Sequence, residues 1–275
     1  MRTTIKEKKE LIMKIAIVTG ASSGMGREFI MQIADRFSGI GEIWAIARRK
    51  ERLEELSPLV PVRVRSFAID LTDKSRLTDL EDLLMKEKPE VKWLINAAGY
   101  GKIGDVGTIN LGDEMGMVDL NCRALCAVTH MVLPYMSKNS RIIQFSSSAS
   151  FLPQPGFAIY SATKSFVLSY SRALNEELKK KEIYVTAVCP GPVKTEFFDI
   201  AETTGQIPLY KRLMMADPRK VVRLALRDSM MGRPVSVYGT TMKTFRLLCK
   251  TVPHTAIFSL MKRLMKTMPG EAGAL

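Results

Sequence analysis

The amino-acid sequence predicts an α/β fold built on a doubly wound parallel sheet of about seven strands. Short apolar runs rich in β-branched residues recur along the 275 residues, and longer stretches with helical periodicity separate them. A glycine-rich segment follows the first apolar run directly. Because crossovers between parallel strands are right-handed, this alternation predicts a Rossmann-like sheet, whose ligands bind beyond the carboxyl ends of the strands.

The predicted elements alternate from one end of the chain to the other. Strands are predicted at residues 14–19, 42–47, 62–69, 93–96, 141–146, 184–189 and 235–238. Helices with apolar faces are predicted at residues 26–37, 75–86, 117–137 and 161–179. No internal repeat is evident, so we expect a single Rossmann-like domain over residues 11–240, followed by a basic, amphipathic helical extension over residues 241–275.

The composition is that of a soluble globular protein, with 46% hydrophobic and 25% charged residues. The four cysteines lack the paired spacing of a zinc site and the two histidines are far apart, so no metal site is expected. No apolar run is long enough to span a bilayer. Free cysteines and a charged amino-terminal stretch predict a cytoplasmic protein.

The net charge of +13 is unevenly distributed. Residues 217–268 carry eleven Lys and Arg against two acidic residues, which is +9 of the total. Such a field attracts phosphorylated cofactors, acidic substrates, anionic lipids or nucleic acids without choosing among them.

The glycine-rich turn after the first strand is typical of a pyrophosphate site. Glycine lets the backbone approach a phosphate closely, and the following helix offers free N–H groups and a positive dipole end. An ordinary tight turn is the structural alternative. The candidate cofactor-binding residues here are Gly20, Ser22, Ser23, Gly24, Met25 and Gly26.

The ends of the next strands supply further candidates. Arg48 is the favoured ligand for a 2′-phosphate, and Arg49 beside Lys50 is a second candidate. Arginine at this position favours NADP(H) over NAD(H). The alternative is that these basic side chains form a solvated surface. After the third strand, Asp70 with its neighbour Leu71 could meet the adenine, or Asp70 could cap a turn. After the fourth, small residues leave room for a flat ring or form a turn. These are Asn96, Ala97, Ala98 and Gly99.

Tyr160 and Lys164 are four residues apart, on one face of a predicted helix. Transfer of a hydride to a carbonyl leaves an alkoxide that needs a proton, and a phenol can donate one. We expect the neighbouring ammonium to lower the phenol's pKa. A serine from Ser146, Ser147 and Ser148 could bind the substrate oxygen.

In this order the segments resemble the short-chain dehydrogenase/reductase family over roughly residues 14–198. The resemblance implies an NADP(H)-dependent oxidoreductase acting on a secondary alcohol or a ketone, with Tyr160 as general acid/base and Lys164 as its partner and ribose ligand. It selects Ser147 among the three serines and assigns Asn121 to a proton relay. It also implies that a loop binds the nicotinamide, and the residues of that loop are Pro190, Gly191, Val193 and Thr195. Ser150 stands where many members of the family have glycine.

The carboxyl-terminal stretch predicts two basic amphipathic stripes. Met242, Phe245 and Cys249 form the first, and a pair of such helices could cover the substrate cleft. The second is expected to pack on the body or a partner subunit, with peripheral membrane contact as the alternative. Its apolar members are Ile257, Leu260, Met261, Leu264, Met265 and Met268. Residues 197–215 are predicted to form an irregular lid with an apolar wall.

These features favour a hydrophobic substrate, such as a steroid or bile-acid hydroxyl or a 3-oxoacyl group. The family resemblance implies a homodimer or homotetramer. No aromatic platform accompanies the basic tail, so nucleic acid is not an expected partner. The alternative functions are a non-catalytic NADP(H)-binding sensor or scaffold and a membrane-associated protein acting through its basic helices.

Overall fold

A computed structural model of the chain describes residues 13–201 and 215–259. Within these residues, seven strands form one sheet in the order β3-β2-β1-β4-β5-β6-β7, and every neighbouring pair is parallel. The strands are β1 Lys14–Thr19, β2 Glu42–Ala47, β3 Arg63–Ala68, β4 Glu90–Asn96, β5 Met136–Phe145, β6 Tyr184–Val188 and β7 Val235–Ser236. The predicted doubly wound sheet is confirmed.

Helices cover both faces of the sheet. They are α1 Gly24–Arg36, α2 Lys50–Glu54, α3 Lys74–Glu87, α4 Leu111–Val118, α5 Leu125–Val132, α6 Ala158–Leu178, α7 Phe197–Ala201, α8 Pro218–Met230 and α9 Thr240–Thr251. Residues 254–259 are also helical.

Alternate side chains of β1 enter two different cores, as the twofold period of a strand requires. Ala16 and Val18 pack with α1 and α8, whereas Ile15 and Ile17 pack with α3, α5 and α6. Burial on both faces explains why these strands read as continuous apolar runs.

The order in which strands are added to the sheet changes direction after β3. Strands β2 and β3 lie on one side of β1, and β4 to β7 follow on its other side. Connections that leave β1 and β4 therefore run to opposite faces and open a crevice at their carboxyl ends. The glycine-rich turn and the segment after Asn96 lie at this crevice.

One predicted helix is wrong in extent. Residues 117–137 do not form one α-helix: a π-helical segment, Asp119–Ala124, separates α4 from α5, and β5 already begins at Met136. Pro134 lies in the first turn of a short 3-10 helix, Leu133–Tyr135, which ends the helical run because proline lacks an N–H.

Helix α8 was not predicted, although its sequence carries start signals. The Asp217 side chain accepts a hydrogen bond from the Arg219 N–H at 2.8 Å, and Pro218 occupies the first turn. Val221, Val222 and Leu226 form its buried stripe.

The first basic stripe packs on the body. Cys249 is buried, and Met242 and Phe245 pack against the same cluster, which also contains Phe151 and Cys189. The predicted lid lies mostly outside the described residues, as does the second stripe apart from Ile257, which joins this cluster. Among the helices that the structure describes, none is long and apolar enough to cross a bilayer.

Candidate active site

The glycine-rich turn brings backbone very close to backbone. A Cβ atom on Gly26 would lie 2.2 Å from the Gly20 carbonyl oxygen, and Gly20 has a φ of +67°. These contacts leave room only for glycine at both positions. The first turn of α1 contains no acidic residue, and the Ser23 side chain makes no cap hydrogen bond, so the helix start fits an anion. Met25 packs, partly buried, against the core.

Arg49, and not the favoured Arg48, reaches the glycine-rich turn. Its Nη2 donates to Ser22 Oγ at 3.2 Å. The same atom lies 3.0 Å from Glu196 Oε2, and Arg52 Nη1 lies 2.8 Å from Glu196 Oε1. Arg48 is exposed and acts electrostatically on Tyr100. A basic group therefore borders the turn where an adenosine phosphate would sit.

Asp70 caps a turn, which is one of its two predicted roles. Its Oδ1 accepts from the Thr72 N–H at 2.9 Å and from the Thr72 hydroxyl at 2.7 Å. Leu71 is buried among core side chains of the α3 face. These side chains are thus engaged within the protein.

Asn96 is also engaged internally. Its Nδ2 donates to Thr129 Oγ1 and to Gln144 Oε1, both at 3.0 Å, and the residue is 3% exposed. The amide ties β4 to α5 and β5, so the segment from Ala97 to Gly99 offers backbone and small side chains to the crevice. The Ala98 N–H donates to Thr19 Oγ1 at 3.2 Å, which joins this segment to the end of β1.

Tyr160 and Ser147 meet through their side chains. Tyr160 lies in the first turn of α6, and Ser147 follows β5. The Ser147 side chain is close enough to the phenol to lower its pKa, and Ser147 Oγ accepts a hydrogen bond from the Ala149 N–H at 3.1 Å. This hydrogen bond restrains the serine side chain at the start of the short 3-10 helix Ser148–Ser150.

Lys164 and Asn121 complete the cluster on the other side of Gly99. A Cβ on Gly99 would lie 2.8 Å from Asn121 Oδ1 and 3.2 Å from Lys164 Nζ, so both polar groups crowd the same backbone position. Asn121 lies in the π-helical segment, a type of distortion that is frequent at functional sites. Its Nδ2 donates to Tyr100 O at 2.9 Å and to Thr163 Oγ1 at 3.1 Å. The structure thus brings together all four predicted catalytic residues.

The electrostatics differ from the sequence-based expectation. Burial raises the pKa of Tyr160 to about 12, and the nearby Ser147 side chain opposes this only in part. Burial lowers the pKa of Lys164 to about 8. Lys164 Nζ donates to the Phe145 carbonyl at 2.9 Å, and desolvation outweighs any lowering of the phenol's pKa by the lysine. Tyr160 is therefore a neutral proton donor at neutral pH.

Aromatic side chains enclose Tyr160. The Phe157 ring stacks on it with centroids 4.2 Å apart, and the Phe197 ring lies 5.4 Å away at 51°. A Cβ on Gly101 would lie 2.7 Å from Tyr160 Cδ2. The Tyr160 ring thus has apolar surroundings.

The loop after β6 lies against both the glycine-rich turn and α9. A Cβ on Gly24 would lie 3.4 Å from Thr195 Cβ, and Pro190 O accepts from the Ser148 N–H at 2.8 Å. The Met242 side chain lies against Gly191, where a Cβ would come within 2.7 Å of its sulfur. Val193 is buried in the core. The loop therefore extends from Ser148, the residue after Ser147, to the glycine-rich turn.

Comparison with known protein families decides the family. Residues 14–204, well over half of the chain, match the model described as short chain dehydrogenase. The chain belongs to the short-chain dehydrogenase/reductase family. Members of this family are oxidoreductases, and the match supports action on CH–OH groups.

Three known proteins illustrate what this short-chain dehydrogenase/reductase is similar to. Sulfoacetaldehyde reductase 2 of Chromohalobacter salexigens is 34% identical over 66% of this chain and 74% of its own length. Very-long-chain 3-oxoacyl-CoA reductase of Rattus norvegicus is 31% identical over 70% of this chain, but this chain spans only 64% of the rat protein. A short-chain dehydrogenase from Sphingobium yanoikuyae, solved in complex with NADPH, is 26% identical with a TM-score of 0.73, covering 96% and 98% of the two chains.

The sequence did not predict two residues of the site, Glu196 and Phe157. Glu196 pairs with two arginines that are more than 140 residues away in sequence. Phe157 precedes Tyr160 by three residues, a helical spacing that could have indicated stacking. No local pattern marks Glu196, because its role depends on two distant segments that meet only in the fold.

Proposed function

We propose that this short-chain dehydrogenase/reductase is an NADP(H)-dependent enzyme that interconverts a secondary alcohol and a ketone on a hydrophobic substrate. A steroid or bile-acid hydroxyl and a 3-oxoacyl group are the proposed substrate classes. The observation that carries the proposal is the buried Tyr160, whose phenol lies near Ser147 and whose ring centroid lies 5.5 Å from Lys164 Nζ.

Tyr160 supplies the proton. Since burial raises its pKa to about 12, the phenol is protonated at neutral pH and can donate to the oxygen of a ketone as that oxygen becomes an alkoxide. Ser147 holds the substrate oxygen within reach of the phenol. Lys164, as an ammonium below about pH 8, stabilises the phenolate that remains.

Several residues fit a dinucleotide cofactor. The close approach of Gly20 and Gly26 and the unneutralised start of α1 suit a pyrophosphate. Arg49 and Arg52 suit a 2′-phosphate, because guanidinium groups bind phosphate in a bidentate manner. Bound NADPH would supply the hydride. The NADPH held by the Sphingobium yanoikuyae relative supports the same choice.

The surroundings of Tyr160 support a hydrophobic substrate. Phe157 and Phe197 flank the phenol, and Phe198 packs edge-on against Phe197 with centroids 5.4 Å apart. Apolar walls of this kind favour burial of a ring or an acyl chain. The name of the rat relative agrees with a 3-oxoacyl substrate.

The test follows absorbance at 340 nm with NADPH or NADH across steroid, bile-acid, 3-oxoacyl and small aromatic ketones. We expect NADPH oxidation with at least one hydrophobic ketone, and a rate about 10²- to 10⁴-fold lower with Tyr160→Phe. A preference for NADH would contradict the proposed cofactor. NADPH binding without turnover of any ketone in the panel would favour the alternative function, a non-catalytic NADP(H)-binding sensor or scaffold.

A further inference from the structure

Glu196 bridges two arginines across the entrance of the cofactor crevice. It directly follows the predicted nicotinamide loop, whereas Arg49 and Arg52 follow β2 at the adenosine side. Each carboxylate oxygen contacts one guanidinium group, at 3.0 Å for Arg49 and 2.8 Å for Arg52. All three side chains are partly exposed, at 43%, 43% and 35% for Arg49, Arg52 and Glu196.

The same arginine is already directed at the glycine-rich turn. Arg49 Nε and Nη2 both donate to Ser22 Oγ, at 3.4 and 3.2 Å, so the flat guanidinium group lies against the turn and its remaining contact is Glu196. A dianion that approaches Ser22 would meet the arginine atoms that the carboxylate now occupies.

We infer that Glu196 is a specificity-determining residue that competes with the cofactor's 2′-phosphate for Arg49 and Arg52. The inference rests on the proposed use of NADP(H). A phosphate monoester carries about −1.5 to −2 charges and three acceptor oxygens, against one charge on the carboxylate, so it displaces Glu196. A 2′-hydroxyl carries no charge and leaves the carboxylate in place.

Displacement of Glu196 has a second consequence, because Phe197 is the next residue. Phe197 begins α7 and contacts the Tyr160 ring. Release of Glu196 by the 2′-phosphate removes two ion pairs from the residue that precedes this aromatic wall, whereas binding of a cofactor without the phosphate leaves them in place. Through the consecutive residues Glu196 and Phe197, binding of the 2′-phosphate therefore affects the aromatic contact with Tyr160.

The test measures binding of two cofactor fragments to the full chain by calorimetry. The probes are 2′,5′-ADP, which carries the 2′-phosphate, and 5′-AMP, which does not. Loss of one competing exposed ion pair changes an affinity by about 1.4- to fivefold. With two contacts, we expect Glu196→Gln to bind 2′,5′-ADP about two- to thirtyfold more tightly and 5′-AMP with unchanged affinity.

Glu54→Gln is the matched control. Glu54 lies on the same helix as Arg52 and pairs with Lys50 at 3.7 Å, so the substitution removes an equal charge close by without freeing Arg49. An equal gain in Glu54→Gln, an unchanged affinity in Glu196→Gln, or weaker binding of both probes would overturn the inference. A wild-type preference for NADH over NADPH contradicts the proposed cofactor instead, so the two failures are distinct.

Discussion

Lys164 Nζ lies 5.5 Å from the centroid of the Tyr160 ring. The ammonium faces the ring while it donates to the Phe145 carbonyl, and the side chain that lowers the pKa of the phenol is Ser147. The proton donor and the cation are thus held by different neighbours, so their contributions can be separated by substitution.

The first prediction concerns the proton donor. Tyr160→Phe removes the hydroxyl and keeps the ring, so we expect kcat to fall by about 10²- to 10⁴-fold while NADPH affinity changes little. Tyr170→Phe is the control, because Tyr170 is a partly buried tyrosine on the same helix. Loss of activity in both variants to the same degree would contradict the assignment.

The second prediction is a pH profile. Since the pKa of Lys164 is lowered to about 8, its ammonium is present below that pH and is lost above it. Tyr160, with a pKa of about 12, stays protonated over this range. We expect the rate of ketone reduction to be constant below about pH 8 and to fall above it. Lys164→Arg keeps the charge at high pH, so its residual activity should lack this fall; an unchanged fall would point to another group.

The third prediction concerns the glycine-rich turn. Gly26→Ala places a methyl group against the Gly20 carbonyl, and the overlap should lower the free energy of unfolding by about 1–3 kcal/mol and weaken NADPH binding. Gly39→Ala is the control, because a Cβ there meets nothing within 4 Å. Urea unfolding and NADPH titration of both variants provide the measurement. Equal stability of the two variants would show that the turn tolerates the side chain.

The fourth prediction concerns substrate size. Phe197→Ala removes a ring that lies against Tyr160, so we expect KM for bulky ketones to rise about tenfold, as loss of roughly 1.4 kcal/mol of apolar contact implies. Small ketones should be less affected. Phe166→Ala serves as control, since Phe166 is 44% exposed on α6. A rise in KM that is the same for small and bulky ketones would exclude a role in size selection.

The sequence predicts the strands and helices well wherever the pattern of apolar residues is uninterrupted. Strands β1 and β2 begin and end where predicted, because each is an apolar run bounded by polar or turn residues. Where the backbone departs from regular geometry, as in the π-helical segment around Asn121, the apolar pattern continues and conceals the change.

The direction of a side chain is harder to predict than its position. Tyr160 and Lys164 were placed together because a helix fixes their spacing. Asn96 was expected near the cofactor, yet its amide lies inward against Thr129 and Gln144, since a buried amide must find partners. Arg49, and not Arg48, contacts Ser22 and Glu196, and these two residues come from segments that the sequence alone cannot bring together.

Helix α6 and strand β5 hold each other by two hydrogen bonds that run in opposite directions. Ser146 Oγ donates to the Lys164 carbonyl at 2.7 Å, and Lys164 Nζ donates to the Phe145 carbonyl at 2.9 Å. Sliding the helix by one turn along the strand would break both at once. These two hydrogen bonds therefore set the position of Tyr160 relative to Ser147. That position is kept as long as α6 and β5 unfold together as one unit and not one before the other.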